Sequence, residues 1–364
     1  MNKKKILAIL ATPPPVHGSN IMNLYVKNSK VINSEHDLSF INYNFTKNVS
    51  DIGKNSLGKF VLFFYLICKL IYTLISKRID LVYFPIVPFG NAFYRDSLIV
   101  LILKIFKKKI IFHLHGKGVS ENYKKSKIIY DFVFNNSSII CLSSFLTYDI
   151  KNFSSKVYIL NNGIEESFNT IKKERSNKVR ILYLSNFIKE KGVLDLVESI
   201  SLIKDKNLIN FEVNLVGNFT DEISKDFLSR FINDLNISEY VNIIGPKYGS
   251  EKFEILCNSD VFIFPTYYPN ETFPLSLIEA CQFSLPIIST YEGAIPDLVE
   301  DNFNGYLVNQ RDVKHLSQKI VELISNREQL DLFSINSRKK YETKYKIEIF
   351  ENNLNEILKQ NLFK

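Results

Sequence analysis

Two glutamates eight positions apart, Glu271 and Glu279, open the chemical reading, in the segment ETFPLSLIEAC of residues 271–281. The first stands in a loop directly after an apolar run, residues 261–265, that reads as a strand. The second falls inside a helical pattern. Pro274 suits the first turn of that helix, where its missing N–H has no intrahelical role. Free N–H groups at a helix start favour an anion such as a phosphate, or a hydroxyl oxygen. Carboxylates on either side accept hydrogen bonds from vicinal diols. The segment therefore suits a ligand bearing phosphates and many hydroxyls. Read alone, the same two glutamates are equally a surface carboxylate and an ordinary helical one.

Lys191, in YLSNFIKEKG of residues 183–192, follows another apolar run together with Lys189. A cation there would stabilise a phosphate leaving group, which gains charge in the transition state. By itself it also reads as a solvated lysine after a strand. In FHLHGKG of residues 112–118, His115 closes a run at the carboxyl edge of a sheet, just before Gly116. His113 competes with it and is expected to point into the sheet.

The elements that must hold these groups alternate along the chain. In the first half, residues 6–11, 81–85, 110–113, 139–142 and 157–160 read as strands, with helices at 60–77, 96–106 and 126–134. In the second, strands are expected at 179–184, 211–216, 241–244, 261–265, 286–289 and 305–308, and helices at 193–203, 224–235, 250–258, 275–283 and 313–325. Strand–helix alternation implies parallel sheets wrapped by right-handed crossovers. Runs nearly continuous in Val, Ile and Leu fit strands buried on both faces. The charged stretch IKKERSNK, residues 171–178, breaks the pattern and marks a linker. Residues 339–363 read as one or two helices.

At 364 residues the chain is long enough for two domains, and 46% apolar against 23% charged residues excludes a disordered chain. The net charge of +8 is compatible with nucleic acid, yet the lysines are spread, with tight clusters only at 3–5, 107–109 and 124–127. Attraction to anionic lipid headgroups or phosphorylated substrates is the preferred reading, beside a merely solvated basic surface. No nucleic-acid partner is expected. Cys68, Cys141, Cys257 and Cys281 lack Cys-x-x-Cys spacing and are expected as four buried, reduced thiols, with no zinc site. Residues 6–11, followed by Thr-Pro-Pro-Pro, read as a first strand and its loop rather than a cleavable segment. Residues 60–75, FVLFFYLICKLIYTLI, run for sixteen residues with Lys69 inside. A membrane span needs roughly 20 apolar residues. A helix buried against a sheet, or one lying partly in a membrane surface, is expected instead.

Residues 271–281 resemble the Glu-x7-Glu signature of glycosyltransferase family 4, retaining enzymes of the GT-B fold. Four ordered blocks carry the resemblance: Phe264-Pro265-Thr266 before the first glutamate, ACQFSLPIIS at 280–289, EGAIPDLV at 292–299 and NGYLV at 304–308. It covers about residues 157–325 and is looser before them. It implies an α/β GT-B fold, two Rossmann-like parallel-sheet domains facing across a cleft. Residues 1–168 would form the acceptor side and 177–340 the nucleotide-sugar side, with 341–364 a helix crossing back to the first domain.

The resemblance also implies roles. Glu279 would bind the donor ribose and Glu271 stand beside the transferred sugar. Phe273, Leu275 and Ser276 would offer backbone N–H groups to the donor. Pro274 stands where many relatives have Gly, so one such donor is absent. Lys191, helped by Lys189, would clamp the diphosphate, and Asn186 stands where relatives carry Arg. His115 would face sugar and acceptor from the opposite wall. The Pro-rich loop TPPPVHGS, residues 12–19, matches the family at Gly18 on the donor side and departs from it at Ser19 and Asn20. Gly217 joins the donor side; His17, Gly116 and Asn162 join the acceptor side. No Asp-x-Asp occurs, so neither metal nor other cofactor is expected.

The implied function is transfer of a sugar from a nucleotide-diphosphate sugar to a glycan or polyprenyl-linked acceptor, in bacterial surface polysaccharide synthesis. The implied location is cytoplasmic, peripheral on the inner face of the membrane. A NAD-dependent dehydrogenase would need Gly-x-Gly-x-x-Gly where Pro13-Pro14-Pro15 stands. A GT-B epimerase or phosphorylase, and a non-catalytic sugar-nucleotide-binding protein, complete the alternatives.

Overall fold

The computed structural model describes residues 3–15, 17–45, 57–167, 178–203 and 210–363. It separates the chain into two units: Met1–Gly163 together with Ile347–Lys364, and Ile164–Lys346. Each unit is built on a six-stranded, all-parallel sheet. The expected linker, residues 171–178, lies outside the described residues except for Lys178.

In the first unit, β1 (Lys5–Leu10), β2 (Asp37–Asn42), β3 (Leu81–Phe84), β4 (Ile110–Leu114), β5 (Ser138–Cys141) and β6 (Lys156–Ile159) pair in the order β2-β1-β3-β4-β5-β6. Sequence patterning missed β2. As an edge strand it has only one buried position, Ile41, so it lacks an unbroken apolar run. The helices are α1 (Gly18–Asn28), α2 (Lys30–Glu35), α3 (Leu57–Ser76), α4 (Gly90–Ile105), α5 (Val119–Tyr123) and α6 (Lys127–Phe134). One apolar cluster joins Leu66, Leu70 and Leu74 of α3, Phe93 and Leu103 of α4 and Val133 of α6 to the sheet. These three helices therefore cover the same face of β1–β5.

Two helices differ from expectation. α3 runs 20 residues and starts three residues before the expected 60–77; at 1.5 Å per residue it is about 30 Å long, enough to cross a membrane by length and composition. α4 starts six residues before Asp96. That aspartate is no solvent-facing start: it is fully buried, pairs with Arg95 at 2.9 Å and accepts from the Val87 N–H at 3.1 Å. Cys68 is exposed on α3 and Cys257 is half-buried, so only Cys141 and Cys281 are the buried thiols expected.

In the second unit, β7 (Val179–Leu184), β8 (Phe211–Val216), β9 (Val241–Gly245), β10 (Val261–Phe264), β11 (Ile287–Thr290) and β12 (Gly305–Val308) pair in the order β12-β11-β10-β7-β8-β9. α7 (Val193–Ser201), α8 (Lys225–Asp234), α9 (Gly249–Asn258), α10 (Leu275–Gln282), α11 (Ile295–Leu298), α12 (Val313–Ser325) and α13 (Arg327–Lys340) follow or connect these strands. A π-turn, Tyr341–Tyr345, then leads to α14 (Ile347–Leu362), which belongs to the first unit. There α14 is fastened by His36 to Asn355 at 2.8 Å, Lys359 to Glu35 at 2.6 Å and Ser138 to Asn361 at 2.6 Å.

Phe93 is the keystone of the first unit's core. Its ring is fully buried and stacks on Tyr130 at 4.0 Å, while the Tyr130 hydroxyl donates to the Pro88 carbonyl at 2.9 Å. Phe93→Ala leaves a cavity that the surrounding rings cannot fill, and should lower stability by about 3–5 kcal/mol. Denaturant unfolding of the variant measures this; a loss below about 1 kcal/mol would contradict the packing.

Candidate active site

Ligands of open parallel sheets sit at the carboxyl ends of the strands. In the second unit β7 and β10 are hydrogen-bonded neighbours. The loops leaving them therefore emerge side by side, one carrying Lys191 and the other Glu271. The Lys191 ammonium lies 3.5 Å from Glu271 Oε2, an oxygen that is buried and makes no hydrogen bond. The pair is poorly solvated, with side-chain exposures of 20% and 11%. Removing either partner would strand a charge in a low-dielectric setting.

Backbone contacts hold the two loops together. The Tyr267 N–H donates to the Glu190 carbonyl at 2.7 Å, and the Thr266 hydroxyl reaches the same oxygen at 3.3 Å. The buried Tyr183 hydroxyl donates to the Lys191 carbonyl at 3.2 Å. Gly192, at φ +79, lies so close that a Cβ there would fall 2.2 Å from the Pro265 carbonyl oxygen. On the other side Gly293, at φ +57, backs onto Glu271: a Cβ would fall 2.4 Å from the Glu271 oxygen. The Ala294 N–H donates to the Thr272 carbonyl at 2.7 Å. Glu271 is thus clamped by the turn that the sequence showed as EGAIP.

Pro274 is the N-cap of α10 rather than a residue of its first turn, and the helix begins at Leu275. A helix start leaves its leading N–H groups without intrahelical acceptors. Here those of Leu275 and Ser276 lead, and the first bond closes from Leu277 to the Pro274 carbonyl at 3.2 Å. The Phe273 ring is buried edge-on against Tyr345, which anchors the approach to the helix. One turn further on, the Glu279 carboxylate accepts from Lys252 of α9 at 2.5 Å. Nothing in the sequence marked Lys252: it stands 27 residues from its partner, inside an ordinary amphipathic helix.

Asn186, Asn218 and Tyr248 follow β7, β8 and β9 and form a polar row. Asn218 donates to Asn186 at 3.0 Å and to the Tyr248 hydroxyl at 2.8 Å. Gly217 joins this row to β8, its N–H donating to the Gly245 carbonyl at 3.1 Å. Lys189 lies within the field of Asp195. Burial raises the Asp195 carboxyl to about 6, helped by Glu198 and opposed by Arg311 and Lys189. The Arg311 guanidinium also lies 4.4 Å from the Tyr267 ring centre.

The histidines lie in the first unit. His113 is fully buried in β4, its Nδ1 2.5 Å from the Tyr83 hydroxyl. The His115 ring stacks against it at 4.1 Å. Burial, and then His17, hold His115 down to about 3, so it is neutral at pH 7. His17 is itself lowered by burial and caps α1, ahead of Gly18, with Nδ1 3.0 Å from the Ser19 hydroxyl. Asn20 and Asn23 bind the Pro15 and Ala11 carbonyls at 2.9 Å, which fastens this loop to β1. Gly116 packs against Pro88, and Asn162 is buried beyond the end of β6. Asp149, which sequence reasoning missed, accepts from the N–H groups of Gly118, Val119 and Ser120 at 2.8, 3.0 and 2.7 Å. It fixes the loop that begins at His115. Among the described residues no group of three or more His, Cys, Asp or Glu could hold a metal ion.

Asp149→Ala leaves three amides without their acceptor. It should lower stability by about 2 kcal/mol and speed hydrogen exchange at Gly118–Ser120. Unchanged exchange there would show that the carboxylate does not hold the loop. For His115 the folded pKa lies below the unfolded value of about 6.5, so the unfolded chain binds the extra proton. Stability is therefore full above about pH 6.5 and falls as the pH drops toward 3. His115→Gln should flatten Tm against pH between about 6.5 and 5; an equal slope in both proteins would refute the assignment.

Comparison with known proteins agrees with this construction. Residues 165–340 match the family model of glycosyl transferases group 1. The chain is 28% identical over 194 residues to the capsular polysaccharide biosynthesis glycosyltransferase CapM of Staphylococcus aureus, covering 53% of this chain and 48% of that one. It is 25% identical over 270 residues to the amylovoran biosynthesis glycosyltransferase AmsK of Erwinia amylovora, covering 71% and 65%. The chain thus spans about half to two thirds of these relatives. The structure of Anabaena Alr3699/HepE in complex with UDP superposes with a TM-score of 0.75 at 15% identity, covering 98% of this chain and 100% of that one. The second unit thus matches the glycosyl transferases group 1, and the two sheets together have the GT-B fold.

Proposed function

We propose that the chain moves a sugar from a nucleotide-diphosphate donor to a glycan or polyprenyl-linked acceptor, with retention at the anomeric carbon, in building a bacterial surface polysaccharide. The observation that carries this reading is the Lys191–Glu271 pair, 3.5 Å apart, in the loops beside the leading N–H groups of α10. An ammonium and a helix start together favour the charge of a departing diphosphate. Two relatives named for capsular polysaccharide and amylovoran synthesis support the polysaccharide assignment, and the UDP complex of a protein of like fold supports a nucleotide sugar.

In the proposed reaction the bond between the anomeric carbon and the β-phosphate oxygen breaks, and its electron pair leaves with the diphosphate. The acceptor oxygen forms the new bond on the same face and loses its proton to the departing phosphate. Lys191 and the N–H groups of Leu275 and Ser276 stabilise the growing negative charge. Asn186 brings no cation where relatives carry Arg, so Lys191 bears most of that work. Glu279 accepts from the ribose hydroxyls, and Lys252 holds its carboxylate for that task. Glu271 accepts from the transferred sugar, and neutral His115 of the first unit serves as a hydrogen-bonding group on the acceptor side. With charge met in this way, the reaction is proposed to run without a divalent cation and to survive EDTA. The acceptor reading places the protein at the cytoplasmic face of the membrane.

A thermal-shift panel of nucleotide sugars identifies the donor, since a ligand of the native state raises Tm. With that donor, Lys191→Ala should cut kcat by about 100-fold with a smaller change in donor affinity. Glu279→Ala should weaken donor binding by about tenfold through lost hydrogen bonds. Wild-type kinetics in either variant would remove its role. Donor binding without turnover of radiolabelled sugar would turn the reading to a non-catalytic sugar-nucleotide-binding protein.

A further inference from the structure

Helix α3 is apolar on nearly every side, with a mean hydropathy of 1.8 over an 18-residue window, yet only 17% of that window is buried. The buried positions Leu66, Leu70 and Leu74 form one stripe, and it is spent on the core beneath. Phe60, Phe64, Tyr72 and Ile75 project outward with 66–72% of their surface exposed. The neighbouring helices repeat the arrangement. On α4, Leu98, Leu101 and Ile105 form an exposed stripe, and Ile128 of α6 is 85% exposed. All three inner faces join one core, so the outer faces share one side of the first unit. Phe45 ties α3 to α4, meeting Phe63 at 6.2 Å and the Arg95 guanidinium at 4.5 Å. Lys104 ties α4 to α6, its ammonium 4.7 Å from the Phe132 ring centre.

Charge decides what this face meets. Residues 57–109, which carry α3 and α4, hold nine Lys or Arg and two acidic residues, Asp80 and Asp96, and α6 adds Lys127 and Asp131. Asp96 is buried and paired, and Asp80 lies 3.8 Å from Arg78. Lys69, Lys77, Lys107, Lys109 and Lys125, on α3 or in the segments next to α3, α4 and α6, are exposed. Interleaved aromatics and lysines of one sign match a surface that is apolar below and anionic above. A second copy would bring like charge against like in a symmetric contact. A membrane span by α3 would strip Leu66, Leu70 and Leu74 from the core.

The geometry points to the outer face of α3, α4 and α6 as a docking surface for an anionic lipid bilayer, on which α3 lies in the plane of the interface. The inference deepens the lipid-linked acceptor reading by naming the surface and the partner. It is independent of the donor chemistry in the second unit.

The test is co-sedimentation of the full chain with vesicles of equal parts phosphatidylglycerol and phosphatidylcholine, against vesicles of phosphatidylcholine alone. Binding should be at least about tenfold tighter to the anionic vesicles and weaken as salt rises. The double variant Phe60→Glu, Phe64→Glu should lose at least about tenfold of that binding. Leu98→Glu, on a different helix, should lose binding in the same direction. The nucleotide-sugar thermal shift, read on the same samples, should stay at the wild-type value, which shows the variants folded and keeps the donor reading separate. Equal binding to both vesicle types, wild-type vesicle binding in the variants, or variants that change only the oligomeric state would each overturn the proposal.

Discussion

One ion pair organises the second unit: Lys191 against Glu271, half out of water at the ends of two adjacent parallel strands. Its position follows from register. Because β7 and β10 run side by side in one direction, their loops leave the sheet at the same edge and can share backbone bonds. The Glu190 carbonyl accepts one from the Tyr267 N–H and a second bond from the Thr266 hydroxyl, and glycines at 192 and 293 let the main chains close to distances that a Cβ would forbid. The pair is therefore held by backbone as well as by Coulomb attraction.

The two units handle charge in opposite ways. In the second, Lys191, Glu271, Lys252 and Glu279 stand as two partnered pairs. In the first, burial drives protons off His115, lowers His113 well below the usual histidine range and lowers His17. His113 and His115 are thus neutral rings at pH 7. Desolvation sets the charge state of these groups in one unit, and pairing sets it in the other.

Strands buried on both faces were legible because they are rich in Val, Ile, Leu or Phe, as in β10 with VFIF throughout and β11 with the leading Ile pair of IIST. The glutamates and the turn behind them were legible because they lie within one continuous stretch of about thirty residues, and local spacing carries over into local geometry. What failed to show was non-local or half-exposed. β2 is an exposed edge. Asp96 looks like a helix start, yet it is a buried carboxyl held by Arg95 and by the Val87 amide. Lys252 and Asp149 act on partners 27 to 31 residues away, and nothing in their own neighbourhoods distinguishes them from surface charges. Pro274 was placed one position too far into its helix, an error of the size that separates a cap from a first turn.

The same logic explains why α3 was the hardest element to read. Periodicity reports where a helix is buried only if its other side is polar. Here the outward side is as apolar as the inward one, so composition alone cannot tell a core helix from a membrane helix. The structure separates them by arithmetic of faces: one stripe of leucines satisfies the sheet, and the remaining aromatic surface exceeds what the unit itself covers. A soluble fold gains nothing from that surplus, since exposed apolar area invites aggregation. Its persistence on three adjacent helices, edged by lysines, is the mark of a surface whose partner lies outside the chain.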